Sequence, residues 1–217
     1  MYDSNHALLH RTIEFVRHYP RQLITAEDLN DQVSYVREKL KRHNRMLHGY
    51  GIVCGLTFDS ARKVIQRGYA LSPCGNEIMV PEDVPFDPQL VARAPDTGGC
   101  PPPEEVDIPD ERFLVVCYRE CPTRPVRVHA AGCGCHDDAC EYARTREWYE
   151  LCLLDKRPHS HPVPVEGEGE GENTPVGCPP APKDDCVLLG VFGPDGTFLG
   201  RRGVRTLALP AVTVSPE

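Results

Sequence analysis

The sequence lacks the features of a membrane-spanning or nucleic-acid-binding protein. It has no run of about 18 apolar residues, the length that a membrane-spanning helix needs. It also has no excess of positive charge, because 32 acidic residues outnumber 24 basic ones and leave a net charge of −8. Nucleic acids and anionic membranes attract basic surfaces. We therefore expect neither nucleic acid nor membrane insertion.

Signals for secretion and catalysis are missing as well. The first 19 residues mix charged and histidine side chains with apolar ones, whereas a signal peptide needs an uninterrupted apolar stretch, so we expect a cytoplasmic protein. The sequence has no GxSxG, HExxH, Walker or GxGxxG motif, and nothing sets a nucleophile beside a base. We therefore predict that the protein is not an enzyme.

Residues 26–48 carry the clearest helical pattern. Thr25, followed by Glu27 and Asp28, is typical of a capping box at a helix start. Apolar positions then recur at alternating spacings of four and three, as in a coiled-coil heptad. These positions are Leu29, Val33, Val36, Leu40, His43 and Leu47. The pattern predicts one helix ending before Gly49, with this face as an interface to the chain's own sheet or to another subunit.

Short β-prone runs follow the helix, separated by turns rich in the 22 Pro and 18 Gly. Near-continuous apolar runs at 112–118, 148–154 and 186–192 are typical of buried strands. The sequence therefore predicts an α+β fold, mostly β, with one long N-terminal helix, two small antiparallel sheets and long Pro/Gly-rich loops.

The domain organisation follows from these shifts in composition. We expect an N-terminal arm and helix over 1–49, a small β domain over 50–94 and a linker over 95–110. A second β domain over 111–210 holds a Cys-rich loop at 121–140 and a disordered acidic loop at 158–184, and 211–217 form a tail. Proline and repeated Gly-Glu pairs exclude a packed core in the acidic loop.

Eleven cysteines point to metal or disulfide chemistry. Cytoplasmic thiols stay reduced, so a dense set favours metal, except in thermophiles and in particles that are assembled in the cell and later released. Cys121, Cys133, Cys135 and Cys140 are the predicted ligands of a zinc ion, with His136 as a substitute. The alternatives are that these cysteines form disulfides or stay free.

The remaining cysteines have simpler interpretations. Cys54 and Cys74, each followed by Gly in adjacent predicted strands, are a possible disulfide. Cys117, Cys152 and Cys186 lie inside predicted strands, where a cysteine usually behaves as a small apolar residue. Cys100 and Cys178 lie in linkers and could pair. His43 and His48 are five residues apart, which on an α-helix places them on different faces and argues against a shared metal ion.

Three segments resemble phage-tail-like proteins of contractile injection systems. They are 22–29 (QLITAEDL), 43–56 (HNRMLHGYGIVCGL) and 68–81 (GYALSPCGNEIMVP), and the family's helix ends in a run such as HNRLLHGWGVVCGL. Weaker likeness extends the match to about residues 20–205, whereas Tyr19-Pro-Arg-Gln22 departs from the family's aromatic-Gly-Gln start. The resemblance implies a tail, baseplate or fibre-attachment component and carries over no catalytic residue.

Two hypotheses about function remain. The first is a structural subunit that docks with other subunits of a tail-like particle, with a homotrimer as one arrangement, and that is assembled in the cytoplasm to act at or beyond the cell envelope. The second is a stand-alone zinc-binding or redox-responsive module built on Cys121 to Cys140. The sequence has no CxxC pair, which disfavours the redox version.

Overall fold

The computed structural model describes residues 13–87, 110–127, 140–161 and 182–207. One α-helix, α1 (Ala26–His43), continues directly into a π-helical turn, Asn44–His48. Ten strands follow: β1 (Gly51–Gly55), β2 (Phe58–Asp59), β3 (Val64–Ile65), β4 (Gly68–Leu71), β5 (Glu77–Val80), β6 (Val84–Pro85), β7 (Arg112–Arg127), β8 (Cys140–Leu154), β9 (Cys186–Phe192) and β10 (Phe198–Gly200). In the described part of the chain, no helix is long and apolar enough to cross a membrane.

Helix α1 begins at the predicted capping box. The Asp28 amide donates to Thr25 Oγ1 at 3.1 Å, and the Thr25 amide donates to Asp28 Oδ2 at 2.8 Å. These hydrogen bonds hold the pKa of the Asp28 carboxyl below its usual value. They satisfy amides that the first helical turn leaves without partners. The helical stretch reaches His48 as predicted, but its last five residues form a π-helix.

The strands form three antiparallel sheets. Their orders are β1-β4-β5, β2-β3-β6 and β10-β9-β7-β8. The described residues confirm the prediction of a mostly-β α+β fold, but they form three antiparallel sheets where two were predicted. The first β-prone run after the helix, residues 52–58, is interrupted because Gly55 and Leu56 both have positive φ, 63° and 53°. This bend sends Phe58 into the separate sheet of β2, β3 and β6.

Strands β7 and β8 are much longer than the apolar runs that predicted them. They pair in register from Phe113 opposite Leu154 to Arg127 opposite Cys140. The predicted Cys-rich loop over 121–140 is therefore partly strand. Pro122 and Pro125 are tolerated because β9 pairs with β7 only as far as Cys117, so one edge of β7 needs no amide donors beyond that point.

One hydrophobic core draws on both predicted β segments. Ile52, Leu56 and Ile65 of the first segment are in the same buried cluster as Leu114 and Leu189 of the second. Burying one such side chain contributes about 1.5–3 kcal/mol. A parallel bridge also joins Ile52 to Thr206. The shared core places the helix exit beside the four-stranded sheet.

The opposite face of the four-stranded sheet carries a disulfide that the sequence did not predict. Cys117 on β7 and Cys186 on β9 lie directly opposite each other and are bonded. The expectation that both behave as apolar thiols is wrong, because cross-strand register brings them together. Cys152 on β8 remains a free thiol, with its sulfur 4.0 Å from that of Cys117. Burial and the Glu150 carboxylate raise its pKa.

Candidate docking surface

The heptad face of α1 is exposed. We define the helix seam as Leu29, Val33, Val36 and Leu40, whose exposed fractions are 53%, 58%, 59% and 48%. Leu47, which follows Leu40 and His43 in the heptad pattern, is 70% exposed. Helix α1 contains no buried residue. The seam therefore covers no part of the sheets that the structure describes.

Polar contacts on a neighbouring face hold α1 to the rest of the protein. Arg37 forms an ion pair with Glu120 and donates to the Tyr118 hydroxyl at 3.4 Å. At 100° per residue, Arg37 lies about 80° around the helix from Leu29. An exposed ion pair of this kind contributes roughly 0–1 kcal/mol. The helix is thus positioned by a few polar contacts rather than by burial of its apolar stripe.

The segment before α1 lies on another face of the helix. The rings of Phe15 and Tyr35 pack with centroids 5.4 Å apart. His18 Nε2 lies 3.4 Å from the Gln32 side-chain oxygen. Tyr35 lies about 120° around the helix from the seam by the same 100° rule. The described N-terminal segment therefore leaves the seam uncovered.

The helix exit is tightly joined to the sheets. Asn44 is buried, and its side-chain amide donates to the Gly75 carbonyl in the β4–β5 turn at 3.0 Å. The Gly49 amide donates to the Asn44 carbonyl at 3.0 Å, the i to i+5 bond of a π-helix. Gly51, with φ of 141°, leaves no room for a side chain, since a Cβ there would lie 2.6 Å from the Arg205 carbonyl oxygen.

The π-helical turn changes the relation of two histidines. The Nε2 atoms of His43 and His48 lie 3.2 Å apart, and both side chains are exposed. The expectation that the two lie on different faces is wrong, because a wider helical turn brings residues five apart onto one side. The prediction from sequence periodicity rested on α-helical geometry as far as His48, so it could not show this contact.

The structure describes only part of the predicted zinc site. Cys133, Cys135 and His136 lie outside the described residues. Cys121 is exposed on β7 opposite Arg146, and Cys140 begins β8 opposite Arg127, six positions away. That offset corresponds to about 20 Å along the ribbon, which one zinc ion cannot span. The zinc site therefore stays a prediction. Its ligands would be Cys133, Cys135 and Cys140, with His136 in place of Cys121.

The possible disulfide between Cys54 and Cys74 does not form. Both are free thiols. Cys54 on β1 lies opposite Tyr69, whereas Cys74 lies in the turn beyond the other end of β4. Burial and the Asp185 carboxylate raise the pKa of Cys74 to about 12, so it is an unreactive thiol. The suggested Cys100–Cys178 pair lies outside the described residues.

A partly buried polar cluster surrounds the buried His161 behind the junction, and no sequence motif indicates it. The Tyr50 hydroxyl donates to the Ser160 carbonyl, and Ser160 Oγ donates to Asp184 Oδ1 at 2.6 Å. His161 is 1% exposed and packs edge-on against Tyr50, and neither of its ring nitrogens has a hydrogen-bond partner among the residues that the structure describes. Burial lowers its pKa to about 4. Tyr50 and Ser160 are 110 residues apart in the chain, and Ser160 and Asp184 are 24 apart, so no local motif could have shown the cluster.

No family model matches the chain, and a search of curated proteins finds no similar one.

Proposed function

We propose that this chain is a structural subunit of a phage-tail-like contractile injection particle, and that it acts by docking and not by catalysis. The helix seam forms the docking surface, and the junction from Gly49 to Leu56, whose Ile52 and Leu56 are buried in the core, anchors the helix that carries it. The observation that supports this proposal most is the seam itself: four large apolar side chains in heptad spacing, each about half exposed. Covering such a stripe with another helix or subunit is favourable, because it removes apolar surface from water.

The attachment of α1 supports the same proposal. Among the described residues, α1 and its π-helical turn meet the sheets through Arg37, Lys41 and Asn44, on a face that leaves the seam free. The tight glycine junction fixes the direction in which the helix leaves the sheet. A seam on a rigidly aimed helix can meet a partner without a large loss of conformational freedom.

The Cys117–Cys186 disulfide fits a particle that is released from the cell. Disulfides persist in oxidising surroundings and are rare in the cytoplasm. A subunit assembled in the cytoplasm and later exposed at or beyond the envelope would encounter both conditions. The described part of the chain gives no comparable support to a stand-alone zinc or redox module over 121–140.

Co-sedimentation tests the proposal. The tagged chain is expressed in cells that produce the particles, and sheath-bearing particles are isolated on a density gradient. We expect wild-type chain in the particle fraction and Val36→Asp in the soluble fraction, because an aspartate in the covered seam would be an unpaired buried charge.

The matched control is Asn30→Asp. Asn30 is exposed and lies about 100° around the helix from Leu29, so the same new charge falls outside the seam. We expect this variant to remain with the particles. Wild-type chain that never enters the particle fraction, or Val36→Asp that enters it as fully as Asn30→Asp, would refute the proposal.

A further inference from the structure

The π-helical turn brings two imidazoles together at the C-terminal end of the helix seam. The Nε2 atoms of His43 and His48 are 3.2 Å apart, and the ring planes meet at 61°. Two nitrogen ligands of a tetrahedral ion, each about 2.0–2.1 Å from the metal, are separated by about 3.3 Å. The observed spacing therefore matches that of two ligands on one ion.

We propose that His43 and His48 form a two-histidine binding site for a borderline divalent transition metal, such as Zn²⁺ or Ni²⁺. Imidazole nitrogen suits this class of ion. Both rings are exposed, so an ion reaches them directly from solvent. Without metal, the Nε2–H of one ring donates a hydrogen bond to Nε2 of the other. When the ion binds, the donor ring moves its proton from Nε2 to Nδ1, so that both Nε2 lone pairs face the ion.

The fold sets the spacing of the two rings before metal binds. Asn44, the residue after His43, is buried and anchored to the Gly75 carbonyl. Its own carbonyl accepts the hydrogen bond from the Gly49 amide that closes the turn. Both ends of the turn that carries the histidines are thus fixed. A pre-organised pair loses little conformational entropy on binding.

The surroundings select against hard cations. Lys41, Arg42 and Arg45 lie in the same part of the helix, so no negative charge is concentrated there. Calcium and magnesium require several oxygen ligands, mostly carboxylates, whereas this pair offers imidazole nitrogens. Among the described residues, no third His, Cys, Asp or Glu completes the site. The ion therefore keeps open coordination positions.

Those open positions give the site a use in docking. His43 occupies a heptad position in line with the seam, so a bound ion lies where a partner helix would pack. A histidine or carboxylate of that partner would supply a third ligand. This role in docking rests on the proposed function, whereas metal binding by the isolated chain does not.

Equilibrium dialysis with Ni²⁺ alone tests the site. The full-length protein is first treated with iodoacetamide, so that accessible thiols do not bind the metal. We expect one high-affinity equivalent for wild type, and at least a tenfold weaker dissociation constant for His43→Gln and for His48→Gln. His159→Gln, which removes another exposed histidine, should bind as wild type does. Far-UV circular dichroism confirms that the variants keep their helix.

The outcomes separate this inference from the proposed function. Nickel binding that is unchanged in His48→Gln, or absent from wild type, overturns the metal site, whatever the co-sedimentation result. Nickel binding that both single variants weaken supports the site, even in a chain that never joins particles. A loss shared equally by His159→Gln would show non-specific histidine binding and would also overturn it.

Discussion

Asn44 and Gly75 join the helix exit to the β4–β5 turn through one buried hydrogen bond, in which the Asn44 side chain donates to the Gly75 carbonyl at 3.0 Å. Replacing Asn44 with alanine leaves that carbonyl without its partner. A buried polar group without a hydrogen bond costs about 1–3 kcal/mol. We expect Asn44→Ala to lower the free energy of unfolding by this amount in urea denaturation. Asn30→Ala, on the exposed surface of α1, should change it by less than about 0.5 kcal/mol.

Gly75 is required at the same contact for a second reason. A Cβ there would lie 2.2 Å from the Lys41 carbonyl oxygen, and its φ is +86°. Gly200 also has a positive φ, +110°, but nothing lies within 4 Å of its Cβ position. We expect Gly200→Ala to cost about 1–2 kcal/mol through backbone strain alone, and Gly75→Ala to cost at least about 2 kcal/mol more. Equal melting temperatures for the two variants would show that the helix exit is not packed on this turn.

The pattern of success and failure in sequence prediction has a physical cause. The helix start at Thr25 depends on neighbours within one turn, and it was predicted correctly. The Cys117–Cys186 disulfide and the Tyr50–Ser160 contact depend on which strands become neighbours, and the sequence pattern does not specify this.

The helix seam shows the same limit. Heptad spacing identified the apolar face of α1, but spacing alone could not decide whether the chain's own sheet covers it. The π-helical turn after His43 was also hidden, because it depends on the distant anchor at Gly75.

His161 should make stability fall in acid. Its pKa is about 4 in the folded protein and 6.5 when unperturbed. Burial disfavours the charged ring and is the largest cause. The Arg205 and Arg157 cations lower the pKa further, whereas the Asp184 carboxylate raises it. The unfolded chain therefore binds a proton more readily than the folded one. Stability from the neutral ring is fully present above about pH 6.5 and is lost as pH falls toward about 4, by roughly 3 kcal/mol.

The comparison of wild type with His161→Phe isolates this effect. Other carboxyl groups titrate in the same range, but they contribute equally to both proteins. We expect the difference in unfolding free energy between the two proteins to change by roughly 2 kcal/mol between about pH 7 and about pH 4.5. A difference that stays constant over this range would mean that His161 is solvated in the folded state.

The Cys117–Cys186 disulfide should stabilise the four-stranded sheet. Its two cysteines are 69 residues apart. A cross-link that closes a loop of that length lowers the entropy of the unfolded chain, which stabilises the folded protein by about 4 kcal/mol. We expect the double variant Cys117→Ala/Cys186→Ala to lose about this much stability under non-reducing conditions. Cys152→Ala, which removes only the adjacent free thiol, should lose much less. Peptide mapping without reductant should recover residues 117 and 186 in one cross-linked species, and its absence would contradict the assignment.

Because the helix seam is exposed, we expect its apolar residues to be replaceable in the isolated chain with little change in the free energy of unfolding. Val36 is 59% exposed, so aspartate at this position meets water rather than a core. We expect Val36→Asp to change the unfolding free energy of the isolated chain by about 0.5 kcal/mol or less. Leu114→Ala, at a fully buried position, should cost about 2–5 kcal/mol in the same measurement.

If Val36→Asp instead destabilised the monomeric chain as much as Leu114→Ala, the seam would be covered by the chain itself and could not serve as a docking surface. A dilution series by light scattering ensures that monomer is what is measured, because a seam buried between copies would make the cost of Val36→Asp depend on protein concentration.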